Sequence, residues 1–236
     1  MTKVSAIIAV LALLGVAFPV AAAQPATVVE LFTSEGCSSC PPADALLAEL
    51  ARRPEVLALS WHVDYWDRLG WKDPYSSAAA TARQRDYARL RGTGEVYTPQ
   101  IVVDGHWQAV GSDRAAVEEA IGAARHMSAA LPVTLTLAPD KTARIVIGAS
   151  GSAVSSRVVL VAYDRQHVDA VSGGENDGRT LAHVDVVRGV AEIGRFDGSP
   201  MTTQTPVAWH ADKLAVLVEA EDGHILGTAT ADLAPR

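Results

Sequence analysis

The sequence predicts an α/β domain, a mixed central sheet with flanking helices, followed by a β-sandwich. Three observations carry that expectation. The two cysteines of the 236-residue chain, Cys37 and Cys40, form a C-x-x-C where an apolar run hands over to a helix pattern. Strand and helix patterns alternate from residue 27 to about residue 127. After Leu131-Pro132 the pattern changes to short alternating strands with no helix between them. The reading divides the chain into a leader at 1–23, an α/β domain at 24–130 and a sandwich at 131–236, with an immunoglobulin-like arrangement as one form of the latter.

The leader reads as a signal peptide. Lys3 supplies a positive charge, Ala6 to Phe18 is apolar apart from Gly15, Pro19 breaks the helix, and Ala21-Ala22-Ala23 is a small-residue cleavage site. The run is too short for a spanning helix of about 20 residues. The expected mature protein is periplasmic or secreted, without stable membrane insertion, in a compartment where disulfides persist. The formal charge is −7, and no basic stretch marks a nucleic-acid footprint, so polynucleotides are not expected partners. About 213 residues remain after cleavage, enough for an ample core without a disulfide staple. That turns the cysteine pair from scaffolding towards chemistry.

Taken in order, Thr27 to Thr33 is the first strand. Glu30 within it reads as an alternate-face or edge residue, with a buried carboxylate that manages the cysteines' protons as the sharper alternative. Thr33-Ser34-Glu35-Gly36 turns the chain. Ala43, Leu46, Leu47 and Leu50 then recur at the spacing of one buried helical face. Pro41 and Pro42 are tolerated only in a first helical turn, which puts both cysteines at the helix N-terminus. Free amides and the dipole there favour a thiolate at Cys37 by ~0.3–2 kcal/mol, roughly one pKa unit. Glu35 works in the opposite direction.

Val56 to Val63 is a second buried strand. Asp64 to Tyr75 gathers four aromatics and three acids without helix or strand period, as a plug over the sheet edge or a substrate-facing lid. His62 and Asp64 stand at the strand's C-terminal end, where open α/β sheets place functional groups, although His62 also suits a satisfied strand-end histidine. Ser76 to Arg91 reads as a surface helix whose charges form a solvated face. Glu95 to Gly111 reads as a hairpin turning at Asp104-Gly105, and Ser112 as the cap of a helix reaching Met127.

This order resembles the thioredoxin fold, with the C-x-x-C opening the first helix and Thr98-Pro99 standing where that fold has its cis-proline. The resemblance implies that the Thr98-Pro99 loop lies against the cysteines and holds an extended substrate. That fold's buried acid falls by position on Leu31, and Glu30, off by one, points to the opposite face unless a bulge intervenes. Residues 32–44 around the C-x-x-C, Val63-Asp64-Tyr65-Trp66-Asp67, Arg83-Gln84 and Val96-Tyr97-Thr98-Pro99-Gln100 further resemble the secreted thioredoxin-like proteins of domain-of-unknown-function family 1223. That resemblance covers most of the mature chain and implies export and a thioredoxin-like core.

In the second half, strands are expected at 133–137, 143–147, 157–163, 184–188, 190–196, 214–220 and 224–231, with turns at Arg188-Gly189 and Asp222-Gly223. Ser172 to Arg179 is the distinctive loop. It reads as a glycine-rich connection packing on the first domain, and its carboxylates lack an EF-hand's spacing.

Three functions are open. The first is a thiol–disulfide oxidoreductase without a cofactor. In it Cys37 attacks, a more buried Cys40 resolves, Asp64 (or Glu30) relays a proton, and Thr98, Pro99, Trp66 and Tyr65 hold the substrate. Its partners are a disulfide- or thiol-containing protein and a redox partner. The second is copper or zinc handling through Cys37, Cys40, His62 and Asp64, against which the methionines Met1, Met127 and Met201 are scattered. The third is a binding module with a structural Cys37–Cys40 disulfide.

Overall fold

The computed structural model describes residues 26–127, 131–151 and 155–233, and the leader at 1–23 lies outside them. The first half runs β1 (Thr27–Thr33), α1 (Pro41–Leu50), β2 (Val56–His62), α2 (Ala78–Leu90), β3 (Gln100–Val103), β4 (Trp107–Val110) and α3 (Arg114–Met127). The second runs β5 (Val133–Leu137), β6 (Thr142–Ile147), β7 (Ser156–Ala170), β8 (Thr180–Phe196), β9 (Met201–Pro206), β10 (Lys213–Ala220) and β11 (Ile225–Asp232).

Local chemistry sets several boundaries. Pro41 and Pro42 fill the first two helical positions of α1, and Cys40 is its N-cap. Ser77 caps α2 by accepting from the amide of Ala80. Asp104 and Gly105 turn the β3–β4 hairpin with φ of 43° and 69°. At α3 the capping oxygen belongs to Asp113, which accepts from the Ala116 amide, and not to Ser112 as expected.

Strand order in the large sheet is β11-β10-β7-β8-β2-β1-β3-β4, and β5-β6-β9 forms a second sheet. The block β2-β1-β3-β4, with β1 parallel to β2 and antiparallel to β3, is the thioredoxin-like arrangement. The strands after residue 131 are not separate from the first sheet. β8 meets β2 in parallel at Val186 and Ser60, so β7, β8, β10 and β11 extend the first sheet. The second sheet packs on that extension, with Leu135, Ile145 and Ile147 facing Leu160, Val216 and Val218 in one core. β10 is buried on both faces, which explains its unbroken apolar run.

The Arg188-Gly189 turn does not form either, because β8 continues through it. Gly189 is there for space: a methyl group on it would lie 2.2 Å from Nε1 of Trp209. Register in β1 runs without a bulge, so Glu30 does point away from α1, but it is not exposed. It is fully buried and takes two hydrogen bonds from Arg83, at 2.5 and 3.0 Å. Arg83 also bonds Glu219 of β10. The expected solvated face of α2 is therefore partly an internal ion-pair network.

Candidate active site

Cys37 and Cys40 are joined in a disulfide at the N-terminus of α1. Both are fully buried, so burial does not distinguish a resolving Cys40 as expected. Contacts do distinguish them. Cys37 Sγ receives the hydroxyl of Thr98 at 3.3 Å and lies 3.4 Å from Ser39 Oγ. The Thr98–Pro99 peptide is cis, and Trp66 donates from Nε1 to Thr98 Oγ1 at 2.8 Å. Sulfur, cis-proline loop and aromatic segment thus meet at one point. Tyr65 stands beside them, bonding Gln84, which in turn holds the carbonyl of Tyr97.

Gly111 explains how these parts come so close. Its amide donates to the Pro99 carbonyl, and an added methyl would sit 2.9 Å from Ala43 Cβ, 3.0 Å from Leu31 Cδ1 and 3.1 Å from Pro99 Cβ. No local sequence signal marks this glycine, because its neighbours come from three elements.

Asp64 is engaged elsewhere: its carboxylate accepts from Thr81 Oγ1 at 2.6 Å and its amide donates to the same oxygen. Glu30 faces the opposite side of the sheet. Two buried carboxylates beside the motif are Glu35 and Asp44, and a buried histidine from β8, His183, lies between them. Its Nε2 is 3.4 Å from Glu35 Oε1 and its Nδ1 is 3.9 Å from Asp44 Oδ1. Burial works against charge on His183, but Asp44 and Glu35 outweigh it and push its pKa up to about 10. Asp44 lies one helical turn beyond Cys40, on the same side of α1.

The His62 ring meets His183 edge to face at 4.7 Å. His62 Nδ1 lies 2.7 Å from Asp73 Oδ2, which also accepts from the Glu35 amide at 2.8 Å. Burial pushes the Asp73 carboxyl up, and His62 with two backbone amides brings it below its ordinary value. Trp71 donates to the other oxygen of Glu35. The copper or zinc set is thus not assembled, with His62 on Asp73, Asp64 on Thr81 and both sulfurs in a disulfide. Among the described residues no group of three or more His, Cys, Asp or Glu side chains is placed to hold a metal ion.

A loop from the second half covers the motif. Asn176, fully buried, donates from Nδ2 to the carbonyls of Glu35 and Cys37 at 2.8 and 2.9 Å. Glu175 accepts from the amide and hydroxyl of Ser38 at 3.0 and 2.6 Å. The composition of Ser172 to Arg179 marked it as a packing loop, but nothing local named its target.

A protein family described only as of unknown function, DUF1223, matches residues 28–219. The chain belongs to that family. The crystal structure of a protein from Agrobacterium tumefaciens is similar at a TM-score of 0.77 and 33% identity, covering 91% of this chain and 100% of that one. HBP35 of Porphyromonas gingivalis is similar at a TM-score of 0.60 and 14% identity, covering 89% of this chain and 76% of that one, which shows the fold alone. None of the curated proteins matches. This DUF1223 protein therefore pairs a thioredoxin-like fold with a C-x-x-C disulfide, the equipment of dithiol/disulfide redox chemistry. No helix among its described residues is long and apolar enough to cross a membrane.

Proposed function

We propose that the protein is an exported thiol–disulfide oxidoreductase, periplasmic or secreted, acting on disulfide- or thiol-containing proteins and served by a separate redox partner. The observation that carries this reading is the Cys37 sulfur at the α1 N-terminus, held by Thr98 beside a cis-proline. In this reading residues 24–130 form the catalytic unit, and 131–236 a sandwich-like companion that supplies His183 and the covering loop.

When the protein oxidises a substrate, a substrate thiolate attacks Cys37 and breaks the Cys37–Cys40 bond. Cys40 leaves as a thiolate and takes a proton. A second substrate thiol, losing its proton, then displaces Cys37 and leaves with a substrate disulfide. Reduction runs the same steps backwards, with the Cys37 thiolate attacking and Cys40 resolving. Thr98 and Pro99 line the extended substrate, flanked by Trp66 and Tyr65. In this reading the proton work falls to Glu35, Asp44 and His183 and not to Asp64, which is bonded to Thr81.

Trapping tests the order of attack. Cys40→Ala is expected to accumulate mixed disulfides through Cys37, and Cys37→Ala to accumulate none. Equal trapping by Cys37→Ala would reverse the assignment.

A further inference from the structure

Two acidic side chains bracket Cys37. Glu35 lies two residues before it, buried, and Glu175 reaches Ser38, one residue after it, from far along the chain. The placement of Glu175 is built rather than incidental. Val171 and Gly178–Arg179 close the loop with two backbone hydrogen bonds of 2.9 Å. Gly174 turns it with a φ of 69°, and a methyl group on Gly173 would lie 2.5 Å from the Gly70 carbonyl oxygen. Asn176 anchors it through the Glu35 and Cys37 carbonyls, its own oxygen taken by Arg179 at 2.8 Å.

We propose that Glu175 is a positioning residue of the redox centre: its carboxylate, fixed on Ser38 between the cysteines, disfavours the Cys37 thiolate and makes the couple more reducing. The inference rests on the oxidoreductase reading above. Reduction of the disulfide takes two electrons from a thiol donor, which is itself oxidised to a disulfide. Above the Cys37 pKa it takes one proton, giving Cys37 thiolate and Cys40 thiol. Below that pKa it takes two protons and gives two thiols.

A neighbouring negative charge penalises only the thiolate form. It raises the pKa of Cys37, lowers the potential above that pKa and leaves the potential below it unchanged. The other charged groups facing this end of the motif do not cancel it. Glu35 and Asp44 are paired with His183, and Arg179 is turned to Asn176. Glu175 is solvent-exposed, so the effect is modest and salt-sensitive.

The test is the potential of the purified chain against glutathione couples from pH 4 to 9, for wild type and Glu175→Gln. The amide keeps an oxygen for Ser38 and loses the charge. In the variant the break in the pH dependence is expected to move down. Above it the variant couple is easier to reduce by about fivefold, equal to about 20 mV for two electrons. Below the break the two curves coincide. Glu175→Ala gives the same shift, Asp177→Asn stays on the wild-type curve, and high salt shrinks the difference. Coincident curves, or an offset equal at every pH, overturn the inference while leaving the oxidoreductase reading intact. A wild-type disulfide that does not exchange with glutathione overturns both.

Discussion

Nε2 of His183 lies 3.4 Å from Oε1 of Glu35, both side chains buried, one on the eighth strand and the other in the turn that leads to Cys37. Asp44 flanks the same ring from the first helix. A histidine from the second half of the chain is therefore held between two carboxylates that flank the C-x-x-C in the first. The single parallel contact of Ser60 with Val186 positions it.

Stability follows from that burial. His183 has a folded pKa of about 10 against an ordinary value of 6.5, so its contribution is complete below about pH 6.5 and is lost as pH rises towards 10. Within that window stability is expected to fall by up to about 1.4 kcal/mol per pH unit. Denaturant unfolding at pH 6, 8 and 9.5 measures it. His183→Gln should start lower and show a flatter profile, and an equally steep profile in the variant would contradict the assignment.

The proton shell predicts a different ranking from the one expected of Asp64. Glu35→Gln and His183→Gln should slow thiol–disulfide exchange by about tenfold or more, with an altered pH profile. Asp64→Asn should stay within about twofold, because that carboxylate serves Thr81 and the start of the second helix. Stopped-flow reduction rates across pH distinguish the two rankings.

Much of this was legible in the sequence, and the rest was hidden for definite reasons. The C-x-x-C, the double proline and Thr98-Pro99 encode their geometry locally, so the thioredoxin-like half follows from them. The burial of Glu30 is not legible in the sequence, because alternation cannot show that Arg83, 53 positions away on a helix, enters the core to meet it. Gly189 mimics a turn residue when its purpose is room for Trp209. His183 carries no local signal, since its partners precede it by more than a hundred residues and the strand around it alternates like any other.

Arg83 ties the second helix to the first and tenth strands through Glu30 and Glu219. Arg83→Ala leaves two buried carboxylates without this partner, and a loss of ~3–5 kcal/mol is expected. Thermal and denaturant unfolding check it. A loss below about 1 kcal/mol, the range of exposed pairs, would show that the network is solvated.

Gly111→Ala should act on both stability and exchange. The added methyl meets Ala43, Leu31 and Pro99 at 2.9–3.1 Å, and overpacking of this kind costs ~1–3 kcal/mol. Because Pro99 is one of the three, exchange rates should fall even where the variant remains folded. Gly189→Ala, crowding Trp209 and none of the residues that touch Cys37, should lower stability without changing the exchange rate of the folded fraction.

In the proposed function Cys37–Cys40 is a working redox couple and not a structural bridge. The reduction potential of that disulfide in the purified, metal-free protein tests it most directly. A working couple exchanges readily with glutathione and has a potential above about −300 mV. A disulfide that resists exchange, with a potential well below about −300 mV, would contradict it.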